Sequence, residues 1–91
     1  MDYKIDQHHI YIVDDRGLLS AHIEFQETTA GTYDICRTFV DPALRGKNIA
    51  SELVEKAISE IHRRGAVVTA SCSYAKKWMV EYNGPLVKTT F

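Results

Sequence analysis

The sequence predicts a small α+β (mixed α/β) domain with the element order β-β-β-α-β-α. Three observations predict it: alternating apolar residues in three successive segments, an amphipathic helical pattern, and a short β-branched run after that helix. Short turns between the first segments favour an antiparallel meander, whereas a strand–helix–strand passage favours a right-handed crossover with parallel pairing. We therefore expect a central, mostly antiparallel sheet with one parallel pair, flanked by two helices.

The first three strands follow from period-two alternation between turn residues. The first is expected over Ile5–Val13, the second from Leu19 to Phe25, and the third over Tyr33–Val40. Apolar and polar residues alternate in the second and third segments, which is typical of strands buried on one face. The turn signals between them are Asp14–Gly17 and Thr28–Gly31.

The first helix is predicted by apolar residues at three- and four-residue spacing from Ala50 to Ile61. Asn48 is the expected N-cap, and Gly65 is expected just beyond the C-terminus. Two pairs at i,i+4 spacing support the helix, namely Glu52 with Lys56 and Glu60 with Arg64.

The second half of the chain continues with the short apolar run Ala66–Ala70, whose length and β-branching predict a buried strand. Ser73 is then the expected cap of a second helix over Tyr74–Tyr82. Asn83-Gly84-Pro85 would end that helix.

Composition and charge argue against several classes of partner. The chain has 91 residues, which allows one domain, expected to span 1–91. Its net charge is −1, with 11 basic and 12 acidic residues, whereas nucleic-acid and membrane-surface binding usually need a strongly positive face. No segment approaches the roughly 20 apolar residues that span a bilayer, and no targeting pattern opens the chain. We therefore expect a cytoplasmic protein without a nucleic-acid or membrane partner.

The cysteines and histidines give no metal-binding signature. Cys36 and Cys72 are far apart and belong to no CxxC or Cys/His cluster, so neither a disulfide framework nor a zinc site is indicated. His8 and His9 are adjacent, and on a strand they would point to opposite faces. No metal is therefore expected.

The loop before the first helix carries the chemistry that the sequence suggests. The first N–H groups of a helix lack backbone partners, and the helix dipole favours an anion there. Gly46 would let a ligand approach the backbone, and Asn48 tolerates a left-handed conformation. Arg45 and Lys47 add positive charge. A phosphate or pyrophosphate is the natural ligand, and the alternative is an ordinary polar loop before a capped helix.

This segment resembles the pyrophosphate-binding motif of the GNAT superfamily, R/Q-x-x-G-x-G/A, in its longer form V-x-P-x-x-R-G-x-G-I-A. The chain reads V-D-P-A-L-R-G-K-N-I-A from Val40 to Ala50. Arg45 matches the first motif position, and Asn48 stands where the family usually has glycine. The resemblance covers about Leu18 to Tyr82. The sequence C-S-Y-A at residues 72–75 is similar to that of a very short branch of the superfamily.

The resemblance implies acetyl-CoA as the co-substrate, bound through the loop-to-helix segment Leu44–Ser51, with no metal. It also implies that the parallel strands Tyr33–Val40 and Ala66–Ala70 splay apart to admit the pantetheine arm. The cofactor-binding residues that it implies are Phe39, Val40, Arg45, Gly46, Lys47, Asn48, Ile49, Ala50, Ser51, Ser73 and Lys76.

Two residues are candidates for catalysis. The Cys72 thiol would lie near the acetyl thioester, at a helix N-terminus that favours a thiolate, and could relay the acetyl group. Tyr74 could protonate the departing CoA thiolate. The alternatives are a small buried hydrophobe for Cys72 and a packing residue for Tyr74. His22 and Glu24 could act as a base, but a solvated sheet face is the favoured interpretation.

The expected activity is N-acetyl transfer from acetyl-CoA to an amine acceptor, directly or through Cys72. The short turn between the first strands would leave the acceptor side open, which suggests a protein acceptor or a site completed by a second subunit. Monomer and homodimer both remain open. The alternative function is a non-catalytic acyl-CoA-binding or regulatory module. Nucleic-acid binding through the basic residues at 62–64 and 76–77 is disfavoured by the net charge.

Overall fold

The computed structural model describes residues 3–44 and 46–81. One five-stranded sheet has the order β1-β2-β3-β4-β5, antiparallel except for the parallel β4–β5 pair. This confirms the predicted fold class. The strands are β1 (Lys4–Ile5), β2 (His9–Val13), β3 (Leu19–Thr29), β4 (Thr32–Val40) and β5 (Val67–Ala70). The helices are α1 (Ile49–Arg63) and α2 (Ser73–Glu81), and a 3-10 turn spans Pro42–Leu44.

The segment expected as one strand, Ile5–Val13, is instead split into β1 and β2. Asp6 causes the break, because its carboxylate accepts the backbone N–H groups of His8 (2.9 Å) and His9 (2.6 Å). Such a local side-chain turn competes with the sheet ladder. The amide of Asp6 also donates to the carbonyl of His9 at 2.9 Å, which closes a tight hairpin.

The β3–β4 hairpin is longer than expected and contains a bulge. β3 continues to Thr29, so the connection shrinks to residues 30–31. Glu24 lies opposite Arg37, but the next residue, Phe25, lies opposite Ile35, which leaves Cys36 as the extra residue. A bulge of this kind changes the side on which the following backbone groups emerge.

The hydrophobic core lies between the sheet and the helices. α1 packs across β2–β5, and α2 contacts β4, β5 and α1. Removing a buried leucine or isoleucine side chain from such a core typically costs about 2–5 kcal/mol. The buried side chains are Ile10, Ile12, Ala21, Ile23, Phe25, Ile35, Ile49, Leu53, Val54, Ala57, Ile58, Ile61, Ala66, Val68, Ala70, Ala75, Trp78 and Met79.

The C-terminal end of α1 is closed by glycine, as the sequence predicted. Gly65 has φ 75° and donates its N–H to the carbonyl of His62 at 2.9 Å, while Ala66 donates to Ile61 at 3.1 Å. This is the Schellman pattern, which satisfies carbonyls that the helix leaves unpaired.

An ion-pair cluster covers the same end of α1. The buried Glu60 carboxylate accepts hydrogen bonds from Arg63 (2.7 and 2.9 Å) and Arg64 (2.8 Å), which confirms the predicted Glu60–Arg64 pair. Arg64 also donates to the carbonyls of Gln7 and Asp6. It thereby fastens the β1–β2 hairpin to the helix.

The residues of the other predicted pair both contact Tyr3. Glu52 accepts the tyrosine hydroxyl at 3.2 Å, and the Lys56 ammonium lies 4.5 Å from the ring centroid. The Glu52 carboxylate and the burial of the phenol raise the pKa of Tyr3 to about 12, burial having the larger effect.

Within the described residues, no helix is both long and apolar enough to cross a membrane. The predicted end of the second helix, Tyr82, lies outside the described residues, as does the turn at Asn83-Gly84-Pro85.

Candidate functional site

A gap opens where β4 and β5 part. The two strands pair only between Thr32–Ile35 and Val67–Ala70. β4 then continues to Val40, whereas the backbone N–H groups of Ser71 and Cys72 both donate to the carbonyl of Ile35 at 3.0 Å. The edge of β4 from Cys36 to Val40 therefore extends beyond the end of its parallel partner, although β5 itself is paired with β4 along its whole length.

The register of β4 determines which backbone groups face this gap. Asp41 donates its N–H to the carbonyl of Ser20 on β3 at 2.8 Å. Backbone groups alternate along a strand, so the N–H and C=O of Phe39 also point to β3, and those of Thr38 and Val40 point away from it. The amide of Val40 is thus directed to the gap. The ring of Phe39 lies near His22, on the sheet face that is turned away from the helices.

A cleft of about 300 Å³ joins the gap to the N-terminus of α1. Both the open edge of β4 and the loop before α1 contribute to its wall. The lining residues are Thr38, Val40, Leu44, Gly46, Asn48, Ile49, Ala50, Ser51 and Tyr74.

The start of α1 is an unusual helix terminus. Gly46 and Asn48 both have left-handed backbone, with φ 85° and φ 62°, which only glycine and, among the others, chiefly asparagine adopt at low cost. Asn48 occupies the predicted N-cap position, but its side chain makes no capping hydrogen bond. The first-turn N–H groups of a helix are therefore presented to the cleft without a side-chain acceptor from the cap.

The start of α2 brings Cys72 to the gap. The carbonyl of Cys72 accepts the N–H of Lys76 at 2.9 Å, so Cys72 is the N-cap and Ser73 is the first helical residue. The expectation that Ser73 caps α2 is therefore wrong by one residue, because the chain turns into the helix immediately after the last bond to β4. The half-buried Cys72 Sγ lies 3.6 Å from Oγ1 of Thr38, which lines the cleft.

α2 also supplies aromatic and basic residues beside the cleft. Tyr74 is 41% exposed and lines both the main cleft and a smaller one of about 210 Å³ next to it. Nε1 of Trp78 donates to Oγ of Ser51 at 2.7 Å, which ties α2 to the first turn of α1. Lys77 borders the smaller cleft.

Seven of the residues named from the sequence thus lie together on the cleft wall, while Cys72 reaches it through Thr38. Ser73, Lys47 and Lys76 are exposed and line neither of these clefts. Arg45 lies outside the described residues. Thr38 was not among the predicted site residues, although strand periodicity places it on the same face as Val40, which follows it by two residues.

His22 and Glu24 lie on the face of β3 that is turned away from the helices, and both are half-buried. The His22 ring centroid lies 5.8 Å from that of Phe39 and 6.1 Å from that of His9, and loss of solvent lowers the pKa of His22. Burial alone would raise the pKa of Glu24, but hydrogen bonds from the Cys36 thiol and from His9 hold it below its ordinary value. These side chains contact one another and do not form a simply solvated face.

The family follows from comparison with known proteins. Residues 9–84 match the sequence profile of GCN5-related N-acetyltransferases. The chain belongs to the GCN5-related N-acetyltransferase family. As a GNAT protein it is an acetyltransferase. Among curated proteins, no sequence matches the chain.

Solved structures share the fold. A GCN5-like candidate N-acetyltransferase from Staphylococcus aureus is 21% identical, with a TM-score of 0.79 over 98% of this chain and 87% of that one. A candidate acetyltransferase from Agrobacterium tumefaciens is 25% identical, with a TM-score of 0.66 over 81% and 56%. A GNAT-family N-acetyltransferase from Escherichia coli in complex with CoA is 21% identical, with a TM-score of 0.57 over 66% and 37%. This GNAT chain therefore spans only about half or less of the latter two proteins.

Proposed function

We propose that this GNAT protein transfers the acetyl group of acetyl-CoA to an amine acceptor, with the cleft between β4 and the start of α1 as the acyl-CoA site. The observation that carries the proposal is the continuity of this cleft. It connects an unpaired strand edge, where an extended arm can bind, to a helix N-terminus, where an anion can bind.

The pyrophosphate would bind at the first turn of α1. Gly46 and Asn48 have positive φ values, and left-handed residues of this kind occur in the backbone turns that bind phosphate oxygens through N–H groups. Arg45 and Lys47 flank this turn and would add positive charge. Lys77 is a further candidate for a phosphate contact, since it borders the adjoining cleft.

The pantetheine arm would lie along the open edge of β4. Its amides can pair with the N–H and C=O groups of Thr38 and with the C=O of Val40, as an added strand pairs with a sheet edge, which leaves the N–H of Val40 for the thioester. This arrangement directs the N–H of Val40 toward the thioester carbonyl. A donor at that position stabilises the negative charge that develops on the carbonyl oxygen during acyl transfer.

Two routes lead from the thioester to the acceptor. In the direct route the amine attacks the acetyl carbon, the carbon–sulfur bond breaks, and the CoA thiolate takes a proton from Tyr74, which regains one from the acetylated amine through solvent. In the relayed route the Cys72 thiolate attacks the acetyl carbon first, the carbon–sulfur bond to CoA breaks, and an acetyl-cysteine thioester forms as CoA leaves. The amine then displaces Cys72 from that intermediate. The half-buried position of Cys72 beside Thr38 supports the relay, since Thr38 lines the cleft.

The acceptor is proposed to be a large amine, such as a lysine side chain of another protein. The support is the short connection between β2 and β3, residues 14–18, which adds no helix over the sheet at this position. A flat, open acceptor side accommodates a protein surface more readily than it encloses a small molecule.

The binding site is tested by two-dimensional amide NMR of the labelled protein during titration with acetyl-CoA, and separately with CoA. Shifts are expected at residues 46–51, at Thr38 and Val40, and at Cys72–Ser73. The amides of the β1–β2 hairpin serve as the internal control and should not move. Absence of shifts at residues 46–51 at millimolar ligand would contradict the site.

The relay is tested by Cys72→Ala, with Cys36→Ala as the matched control. We expect acetyl-CoA to add one acetyl group to the wild-type chain and to C36A but not to C72A, as detected by mass spectrometry. Amine turnover by C72A should fall about 100-fold or more while CoA binding is retained. Full turnover by C72A would establish the direct route. CoA binding without turnover of any amine by the wild-type chain would support the non-catalytic module.

A further inference from the structure

Two histidines and a carboxylate converge on the sheet face opposite the acyl-CoA cleft. His9 on β2 lies directly opposite Glu24 on β3, and Tyr11 lies opposite His22. His9 and His22 are therefore diagonal neighbours on the same face, a spacing that long and aromatic side chains bridge. The sequence concealed this cluster, because only the pairing of β2 with β3 brings its members together.

The donor atoms are close enough to share one ion. One ligand atom from each of His9, His22 and Glu24 lies within 4.8 Å of the other two, and Nε2 of His9 is 3.2 Å from Oε1 of Glu24. Ligands at about 2.0–2.2 Å from a tetrahedral Zn²⁺ are separated by roughly 3.3–3.5 Å. Small rotations of the half-exposed rings would bring the atoms to this spacing.

Neighbouring groups hold two of the three donors in place. Nδ1 of His9 lies 3.4 Å from Oδ1 of Asp6, and that carboxylate is itself fixed by the backbone N–H groups of His8 and His9. On the other side, the Cys36 thiol donates to Oε2 of Glu24 at 3.5 Å. A carboxylate behind a metal-binding histidine is the usual supporting group in zinc sites.

Open space remains beside the histidines. A depression of about 220 Å³ is lined by Asp6, His9, Tyr11, Leu19 and His22. Three protein ligands with an accessible fourth position are the arrangement of zinc sites that keep a water or an exogenous ligand on the metal.

We propose that His9, His22 and Glu24 bind a divalent transition metal ion, with Zn²⁺ as the preferred ion. The ligand types favour this class, since imidazole nitrogens select zinc-like ions over Mg²⁺ and Ca²⁺, which prefer all-oxygen sites. The site is separate from the acyl-CoA cleft, because Phe39 extends this face of β4 while Thr38 and Val40 face the cleft.

The test uses the full chain, freed of metal by a chelator, and Zn²⁺ itself as the ligand. Calorimetric titration is expected to give one Zn²⁺ per chain. Co²⁺ should give the visible absorption of a low-coordinate site, which Zn²⁺ then abolishes. His22→Asn and Glu24→Gln should each weaken binding about 100-fold or more, because removing a ligand costs more than the roughly 10–100-fold typical of the groups behind the ligands. The matched control is His8→Asn, which changes the exposed histidine next to His9 and should leave the affinity unchanged.

Two further measurements keep the outcome decisive if a variant folds poorly. In the wild-type protein, the imidazole NMR signals of His9 and His22 should shift with Zn²⁺ while those of His8 do not. Cys72→Ser should retain one Zn²⁺ per chain, because the Cys72 thiol lies beside Thr38 and not beside the histidines. Loss of binding in that variant, equal affinity in H22N, or no binding at millimolar Zn²⁺ would overturn the proposal.

Discussion

The two ends of α1 treat their unpaired backbone groups in opposite ways. At the C-terminal end, Gly65 closes a Schellman turn, and two arginines converge on Glu60. At the N-terminal end, the left-handed Asn48 supplies no side-chain cap, and a cleft begins beside it. One end is fully occupied by the protein's own groups, and the other leaves donors accessible. This difference supports the proposal that the C-terminal end stabilises the fold while the N-terminal end binds a ligand.

The charge arrangement follows the same division. A cation near a helix C-terminus and an anion near its N-terminus both interact favourably with the helix dipole. The chain supplies the cations at the C-terminal end itself, through Arg63 and Arg64. No acidic side chain occupies the N-cap, so the N-terminal end can accept the negative charge of a pyrophosphate.

The largest effect is expected from Asn48→Asp, which places a carboxylate where the pyrophosphate is proposed to bind. Aspartate tolerates left-handed backbone and interacts favourably with the helix dipole, so the free energy of unfolding should be unchanged or rise by up to about 1 kcal/mol. Repulsion between the carboxylate and the phosphates should weaken CoA binding about 100-fold, or about 2.7 kcal/mol. Calorimetric titration with CoA measures this loss.

The matched control places the same charge near the other end of the helix. Ser59 is exposed and lies far along α1 from the cleft, so Ser59→Asp should leave CoA affinity within about twofold of wild type. If N48D and S59D had the same CoA affinity, the N-terminal end of α1 would not be the anion site.

The second-largest effect is expected at the C-terminal end of α1, where Glu60→Gln removes the carboxylate that Arg63 and Arg64 share. The Glu60 side chain is 9% exposed and that of Arg64 is 18% exposed, so the variant leaves the largely buried Arg64 guanidinium with neutral carbonyl partners and no opposite charge. The free energy of unfolding should fall by about 2 kcal/mol at pH 7, measured by urea denaturation. Removing the 71% exposed partner by Arg63→Gln should cost about 0.5 kcal/mol or less.

The pH dependence of that stability separates charge from packing. Hydrogen bonds from Arg63, followed by those from Arg64, lower the pKa of Glu60 from 4.5 to about 2 in the folded chain. The stabilisation is complete above the unfolded pKa of 4.5 and is lost as the pH falls toward 2. The difference between wild type and E60Q should therefore shrink progressively below pH 4.5. A difference that stays constant down to pH 3 would mean that Glu60 acts through packing alone.

The sequence predicted the fold because most of its signals are local and agree with one another. Period-two alternation, the helical spacing from Ala50 to Ile61 and the glycine at 65 each specify an element without reference to distant residues. The exception is the first strand, where a single carboxylate, Asp6, captures two backbone amides and breaks the ladder. A short polar side chain within an otherwise alternating segment was the available signal.

The candidate site could be predicted from the sequence only where its residues are contiguous along the chain. Segment 46–51 is contiguous, so the motif alone could suggest the role that we propose for it. Phe39 was expected to offer its backbone to the gap, but the bulge at Cys36 decides which amides face the gap, and those of Thr38 and Val40 do. The His9–His22–Glu24 cluster depends on the register between β2 and β3, which hydrophobic alternation constrains only to one of two faces.

The smallest effect is expected from Asn48→Gly, which restores the residue that the family motif usually has. Glycine removes the strain of φ 62° but adds conformational freedom to the unfolded chain, so the free energy of unfolding should change by less than about 0.5 kcal/mol. CoA affinity should stay within about threefold of wild type, because the cap side chain makes no helix hydrogen bond that the glycine would lose.

Asn48→Ala is the control that isolates the backbone. Alanine lacks asparagine's tolerance of left-handed geometry, so it should lower the free energy of unfolding by about 1 kcal/mol in urea denaturation. If N48G instead raised CoA affinity about tenfold or more, the Asn48 side chain itself would obstruct the pyrophosphate. The N-terminal end of α1 would then be partly closed by the protein's own side chain. It would differ from the C-terminal end at Glu60 only in how much of it the protein's own groups occupy.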